Sequence, residues 1–305
     1  MNDWIPRIPV GSWVSDAVDW ISVNLRFLLD FFKAAGTWLN DVVTTALLAP
    51  PPLVMILIFA VLAWLVRSWR LAIGVVAAFL LILSMNQWTQ SMQTLSLVLI
   101  ATLTAIIIAV PLGIWAARND TVSAIVKPVL DLMQSLPAMV YLVPAIIFFS
   151  IGVVPGLFST VIFSLPPAVR LTELGIRSVD KETVEAAHSF GATDWEILRG
   201  VQLPLAIPSI MAGINQVIML ALSMAVIAGI VGSDGLGKEV VTALGTVSIA
   251  RGAEAGLSLV FIAIFLDRLT AALGTPEKFS SSLLAKWKAA REKKAKTRES
   301  AELAA

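Results

Sequence analysis

The chain is a series of long apolar runs separated by short polar stretches. A membrane-spanning helix needs about 20 mostly apolar residues, because a rise of about 1.5 Å per residue must cross about 30 Å of hydrocarbon. Seven runs satisfy this pattern and predict seven spans, at about 50–67, 70–87, 91–117, 121–151, 155–176, 206–231 and 255–274. The sequence therefore predicts an all-α polytopic membrane helix bundle.

Two of these runs predict more than a straight helix. The first two spans are short and are separated only by the turn at Arg67–Arg70, so they form a tight hairpin. The fourth run contains Pro128, Pro137 and Pro144. Proline removes a backbone donor, so we expect this span to be kinked, or broken where it lines a cavity.

The distribution of lysine and arginine predicts the orientation. With the N-terminus outside, the inner loops and C-terminus carry 17 basic residues and the outer segments carry five. Inner loops of membrane proteins are enriched in basic residues. We therefore predict an N-out, C-in topology.

Two segments outside the spans are distinctive. Residues 13–33 plot as an amphipathic helix, with aromatic side chains opposite a polar arc. The arc holds Ser15, Asp16, Asp19, Ser22, Arg26, Asp30 and Lys33, and the aromatic face holds Trp13, Trp20, Phe27 and Phe31. We expect this helix to lie flat on the outer leaflet or to pack on the outer face of the protein. The basic tail, 276–305, predicts either contact with anionic lipid or a solvated helix.

Composition agrees with a membrane protein. Hydrophobic residues make up 58% of the chain, charged residues 14%, and the mean hydropathy is +0.86, far from a typical soluble domain. The net charge of +1 predicts no nucleic-acid partner. Cysteine is absent and His188 is the single histidine, so we predict no metal site.

Residues 178–205, here called the knob, do not read as a plain loop. Residues 183–190 and 194–200 both have helical patterns, and Gly191 lies between them. Glycine permits a sharp reversal with positive φ. Thr193 or Asp194 can cap the second helix. The expected structure is a compact helix–turn–helix on the cytoplasmic side, after which Pro204 and Pro208 begin the sixth span.

The spacing within the knob resembles the EAA loop of binding-protein-dependent ABC importer permeases. The matching residues are Glu185, Ala186, Ala187, Gly191, Val201, Leu203 and Pro204. Val201 stands where that family's pattern has isoleucine. The resemblance implies that the knob docks in a groove of an ATPase subunit, with the alanines permitting close approach and Gly191 making the turn.

The resemblance extends from about Leu95 to Leu269. Segments such as VLDLMQSLPAMVYLVPAIIFF and NQVIMLALSMAVIAGIVGSDGLGKEV are similar to the glycine betaine/proline (quaternary amine) branch of these importers. This implies a type I permease core at 91–275, an accessory hairpin at 50–90 and an extracytoplasmic segment at 1–49, in a bacterial inner membrane.

The same resemblance implies the partners. These are a second permease copy, two ATPase subunits and an external substrate-binding protein. ATP and Mg²⁺ would be bound by the ATPase subunits, so no cofactor and no enzymatic activity are expected of this chain.

Two motifs resemble a nucleotide site and a metal site, but neither has all the residues that such a site requires. Gly232–Glu239 resembles a P-loop, but Glu239 replaces the required Ser or Thr and no strand precedes the motif. An outer turn near the docking site of the binding protein is the better interpretation. Glu185 and His188 have the spacing of a di-metal helix pair, but a second copy is missing from the sequence.

Polar residues inside the spans are candidates for the solute path. In the fourth span these are Asp131, Gln134 and Tyr141, and in the sixth Asn215, Gln216, Met219 and Ser223. A carboxylate and an aromatic ring would suit a quaternary ammonium. The alternatives are a structural hydrogen bond for Asp131 and helix packing for the sixth-span residues.

Other functions remain open at this point. An ion-coupled secondary transporter would have paired intramembrane charges and inverted repeats, which the sequence does not make evident. A non-transporting scaffold could also use the knob. Permeases for amino acids, choline, methionine or sulfonates share the same loop.

Overall fold

A computed structural model describes residues 8–274, and this part of the chain is helical with no strand. The basic tail predicted at 276–305 lies outside the described residues. The helices are α1 Val10–Asn24, α2 Arg26–Leu48, α3 Pro52–Val66, α4 Trp69–Ser84, α5 Trp88–Arg118, α6 Asp120–Ser135, α7 Leu142–Phe149, α8 Val153–Arg177, α9 Lys181–Ser189, α10 Asp194–Ile197, α11 Leu203–Ala228, α12 Leu236–Gly245 and α13 Ile249–Gly274.

The prediction of an all-α membrane bundle is confirmed. Four helices are long and apolar enough to span a membrane: α5, α8, the continuous helix Asp194–Val231 and α13. Two bent pairs raise the number to six if each pair is one span, and α4 is a shorter apolar helix. The count of seven and the N-out orientation stay predictions.

The fourth predicted span is broken rather than continuous. The helices Asp120–Ser135 and Ala138–Phe149 meet at 106°. Leu136 is extended, with ψ of 136°, because the ring of Pro137 disfavours helical geometry in the residue before it. The break was one of the two expected outcomes for this run.

The N-terminal amphipathic helix is longer than predicted and is divided. α1 ends at Asn24, Leu25 leaves helical geometry, and α2 continues to Leu48 instead of ending near Lys33. The apolar run after Lys33 extends the helix until Pro50 stops it. α2 then meets α3 at 98°, so it lies across the direction of the first span.

The core is built on close contacts among α5, α8 and α11. A Cβ added to Gly113 of α5 would lie 2.6 Å from Thr172 Cβ on α8. A Cβ on Gly175 of α8 would lie 2.8 Å from Ser209 Cβ on α11. Small residues bring membrane helices together in this way. Beside this core, Phe59, Phe79 and Phe265 join α3, α4 and α13 through edge-on and tilted ring contacts.

Candidate functional site

The turn of the knob is a complete Schellman motif at the end of α9. The amide of Ala192 donates to Ala187 O at 3.2 Å, and the amide of Gly191 donates to His188 O at 2.9 Å. Gly191 has φ of +81°. These two bonds satisfy carbonyls that would otherwise be orphaned at a helix end. Glycine is required here because its backbone adopts the left-handed region without a Cβ penalty.

Both short helices of the knob are capped at their N-termini. Asp180 accepts a hydrogen bond from the amide of Glu182 at 3.0 Å. At α10, Thr193 and Glu196 form a reciprocal capping box, with the Glu196 carboxylate 2.8 Å from the Thr193 amide. Each cap satisfies backbone N–H groups at the start of its helix and stabilises that helix by about 1 kcal/mol.

The tip of the knob presents bulky aromatic side chains to the surroundings. Phe190 is 93% exposed and Trp195 is 60% exposed. Ala186 is also exposed, so a partner can approach the backbone of α9 closely. Sequence reasoning singled out the small residues and missed both aromatics, although their position beside Gly191 was a usable signal. Exposed aromatics on a rigid surface are typical anchors of protein interfaces.

The knob is joined to α11 without a loop. Residues Leu198–Gln202 form a π-helical segment in which the amide of Leu203 donates to Leu198 O. Pro204 lacks the N–H that would bond to Gly200, and the wider turn accommodates this gap. One helix therefore runs from Asp194 to Val231. Pro204 lies in the first turn of its α11 part, where the sequence predicts the sixth span to begin.

Buried residues anchor the knob to the bundle. Ile197 is 2% exposed, and Leu198 packs in a cluster with Ile176 of α8 and Ala206 of α11. Ile114 and Ala117 of α5 complete this cluster. The knob is thus packed directly against three spanning helices, α5, α8 and α11.

A polar cleft of about 360 Å³ separates the knob from the ends of α5 and α8. Asp194 lies 3.8 Å from Arg118 of α5 and 3.7 Å from Nε2 of His188 of α9. Glu185 lines the same cleft and has no ion pair among residues 8–274. The cleft supplies weak, exposed ionic contacts, so the buried apolar anchor is the stronger contact between the knob and the bundle.

Next to the knob, three ion pairs join α6 to α8. Asp131 pairs with Arg170, Lys127 lies 3.2 Å from Glu173, and Asp120 lies 2.7 Å from Arg177. Glu173 is buried, and its Oε1 also accepts from Ser123 Oγ at 2.7 Å and from Arg177 Nε at 3.0 Å. These three ion pairs are here called the ladder. Sequence reasoning missed them, although positive and negative side chains alternate at helical spacing on both helices.

The path candidates of the broken helix lie around this ladder and the break. The Asp131 carboxylate is occupied by Arg170 and is largely exposed, and Gln134 is exposed. The hydroxyl of Tyr141 donates to Met133 O across the break, and its ring contacts Phe163 edge-on with centroids 6.1 Å apart.

The path candidates of α11 divide between its faces. Gln216, Met219 and Ser223 are exposed along one stripe, and Ser223 Oγ donates to Met219 O at 3.0 Å. Asn215 is half-buried, and its Oδ1 has no hydrogen-bond partner within the described residues. Ala138 and Leu142 beside the break share a cluster with Met224 of α11. The structure therefore packs the break against the buried face of α11, at the level of Ser223 and Met224.

The P-loop-like stretch is a turn followed by a helix that sequence reasoning missed, α12. Gly232 and Gly235 have positive φ, and the Leu236 amide donates to Thr94 Oγ1 of α5 at 2.8 Å. Lys238 donates to Asp234 at 2.7 Å. This hydrogen bond, with the negative charge of Asp234, raises the pKa of Lys238 above its ordinary value.

Comparison with known proteins identifies the class. A family model for the binding-protein-dependent transport system inner membrane component matches residues 109–275. The match covers more than half of the chain, which therefore belongs to this family: it is the membrane permease subunit of an ABC importer, and such subunits are not themselves enzymes. The family implies ATPase and substrate-binding partners, and a multi-pass position in the bacterial inner membrane.

Individual relatives within this family are named for glycine betaine transport. The chain is 46% identical over 269 residues to the glycine betaine transport system permease protein OpuAB of Bacillus subtilis, covering 88% of this chain and 95% of that one. It is 43% identical to the glycine betaine/proline betaine transport system permease protein ProW of Escherichia coli, covering 88% and 75%. Among solved structures, the inward-facing MetNI methionine ABC transporter matches with a TM-score of 0.55 and 19% identity, covering 59% of this chain and 91% of that one. That likeness shows the fold.

Proposed function

We propose that this permease imports glycine betaine or a closely related quaternary ammonium osmolyte, in a homodimer served by two ATPase subunits and an external binding protein. Support comes from relatives named for glycine betaine transport that match nearly the whole chain. In this proposal residues 91–275 form the transport core, 50–90 an accessory hairpin, and 1–49 an extracytoplasmic segment that lies on the membrane surface.

The observation that carries the coupling mechanism is the construction of the knob. Phe190 and Trp195 extend from a capped turn, and Ile197 fixes that turn to the bundle. We assign Glu185, Ala186, Ala187 and Gly191 to the ATPase contact, and Val201, Leu203 and Pro204 to the link with α11. Closure of the ATPase dimer would push the knob and, through the continuous helix, tilt α11.

The solute path runs between the broken helix and the exposed stripe of α11. Gln216 and Ser223 are polar side chains on an apolar spanning helix, where polar groups face a water-filled path or another helix rather than lipid. A trimethylammonium group has no N–H to donate, so it is held by charge and by aromatic faces. We assign these two roles to Tyr141, the single tyrosine, and Asp131, and we assign Gln134, Asn215 and Met219 to the same path.

Occupation of Asp131 by Arg170 suggests how the path is closed at rest. The carboxylate is neutralised by the guanidinium. A cationic solute can interact with Asp131 only as the pair with Arg170 opens, which links binding to movement of α6 against α8. The other two rungs of the ladder lie nearer the knob.

The proposal is tested by reconstituting the permease with its ATPase and binding protein in vesicles and measuring uptake of radiolabelled glycine betaine. ATP-dependent uptake that excess unlabelled betaine abolishes supports it. Binding-protein-stimulated ATP hydrolysis without betaine uptake would keep the importer and reject the solute. Uptake driven by an ion gradient without ATP would reject the mechanism in favour of a secondary transporter.

A further inference from the structure

An apolar groove runs down one side of the bundle from α2. Its volume is about 360 Å³, and it is lined by one stripe from each of three helices and by Phe149 of α7. The stripes are Phe32, Ala35, Gly36 and Leu39 on α2; Ile100, Thr104 and Ile108 on α5; and Val154, Leu157, Phe158, Val161, Ile162 and Leu165 on α8. Thr104 is the only polar side chain among them, and its hydroxyl is already bonded to Ile100 O at 2.8 Å.

The length of the groove matches one leaflet of a bilayer. From Val154 to Leu165 the α8 wall covers 12 residues, and the 11 steps between them amount to about 16 Å at the helical rise per residue. The hydrocarbon core of a membrane is about 30 Å thick, so one leaflet contributes about half of that. The groove starts where α2 crosses α5 and α8, and it ends near the middle of the spans.

The upper end of the groove opens into a polar pocket. This pocket measures about 310 Å³, and it shares the walls Phe149 and Val154 with the groove. Lys33, Thr37 and Asp41 of α2 line it, together with Asp234. Asp234 is paired with Lys238, whereas Lys33 has no ion pair within the part of the chain that the structure describes. Asp41 is likewise without an ion pair among residues 8–274, so the pocket presents one free cation and one free carboxylate at the mouth of an acyl-sized groove. Lys33 is the group there that can contact the phosphate of a phospholipid.

α2 is held firmly over this site. Ser96 Oγ of α5 donates to Asn40 O at 3.3 Å, and a Cβ on Gly36 would sit 3.6 Å from Leu157 and Val154. Val43 packs in the cluster that includes Leu157 and Val161. The groove is therefore a built feature with a fixed roof, open sideways through exposed Phe32 and Ile108.

We infer that this groove binds one acyl chain of a membrane phospholipid in the leaflet on the α2 side, with the lipid phosphodiester at Lys33. Burial of an acyl chain removes an apolar void that would otherwise lack contacts, and Lys33 attracts the phosphate. The bound lipid joins α2 to α5 and α8. The site is separate from the solute path and does not depend on the transported solute.

Photolabelling tests the inference on the whole transporter. The complex is reconstituted in vesicles of phosphatidylethanolamine and phosphatidylglycerol that contain a phosphatidylglycerol with a diazirine in its acyl chain. Irradiation and peptide mapping locate the label. We expect it to be concentrated at 100–108 and 161–165.

Substitutions that fill the groove should remove this label. Thr104→Trp fills it from α5 and Ala35→Trp from the exposed α2 side, where the fold has room. Leu103→Trp is the matched control, because Leu103 is exposed and lies outside the groove. Lys33→Gln should lower labelling by the phosphatidylglycerol probe about fivefold, the contribution expected of one basic residue near an anionic membrane surface. It should not change labelling by the matching diacylglycerol probe.

Several results would overturn the inference. One is a label spread evenly over all lipid-facing helices, and another is equal loss of label in Leu103→Trp. Cross-links from the groove to peptides of a second permease copy would assign it to the dimer interface. An equal effect of Arg26→Gln and Lys33→Gln would mean that general surface charge, rather than the pocket, attracts the lipid.

Discussion

Replacement of Gly191 isolates the conformational requirement of the knob from all packing effects. A Cβ added at this position meets no atom within 4 Å, so a side chain has space. The φ of +81° is nevertheless in the left-handed region. That conformation costs an L-residue about 1–2 kcal/mol, and more for a β-branched one, whereas asparagine tolerates it best among non-glycine residues.

Gly200 provides the matched control. A Cβ there also meets no atom within 4 Å, and its backbone is in the helical π segment without positive φ. Alanine at this position should be neutral or slightly stabilising, because glycine is a poor helix former. The two glycines lie in the same knob and differ in backbone conformation.

We expect function to decrease from the wild type with Gly191 to Gly191→Asn, then Gly191→Ala, then Gly191→Val. A cost of about 1–2 kcal/mol lowers the population of the native turn by about 5- to 30-fold relative to its alternatives. Stimulation of ATP hydrolysis by the binding protein, measured on reconstituted complexes, should fall in that order, while the amount of membrane-inserted permease stays constant. Equal stimulation in Gly191→Val and Gly200→Ala would refute the argument that the Schellman turn positions the coupling surface.

Other substitutions test the bundle and the path. Gly113→Leu should destabilise the permease by about 1–3 kcal/mol, because the side chain overpacks against α8. The loss is measured as a lower midpoint of thermal unfolding in detergent. Gly74→Leu is the control and should have little effect, since a Cβ there meets nothing within 4 Å. Glu173→Gln should cost about 2 kcal/mol by the same assay, because a buried charged acceptor is lost, while Asp120→Asn should cost less than about 1 kcal/mol because its pair is exposed. In uptake assays Tyr141→Phe should leave the KM for betaine near the wild-type value and Tyr141→Leu should raise it about 2- to 30-fold, as loss of a cation–π contact predicts; equal values for the two variants would remove the ring from the binding site.

The helices and the main turn were predictable because they depend on local patterns. The length and hydropathy of the apolar runs are enough to predict α5 and α8. Leu136-Pro137 predicts a helix boundary from local sterics, and Gly191 predicts the reversal in the knob. These features need no knowledge of what packs against them.

Features that depend on contacts between helices were not predictable in the same way. The partner of Asp131 is set by the juxtaposition of α6 and α8, and a pattern on one helix does not reveal it. The first residues of α12 are rich in glycine, and this pattern predicts a turn rather than a helix. One of these glycines is required by a contact between helices. A Cβ on Gly237 would lie 2.2 Å from Ala225 O of α11.

If the knob is the surface through which this permease contacts its ATPase, changes at its tip must weaken the affinity between the two proteins. The dissociation constant of the ATPase subunit is measured for the permease in nanodiscs, as wild type, as Phe190→Ala and as the control Trp20→Ala, an exposed aromatic on α1. We expect about 30-fold weaker binding for Phe190→Ala, the loss of about 2 kcal/mol expected for an aromatic anchor, and wild-type affinity for Trp20→Ala. Wild-type affinity in Phe190→Ala, with the permease folded, would contradict this role of the knob.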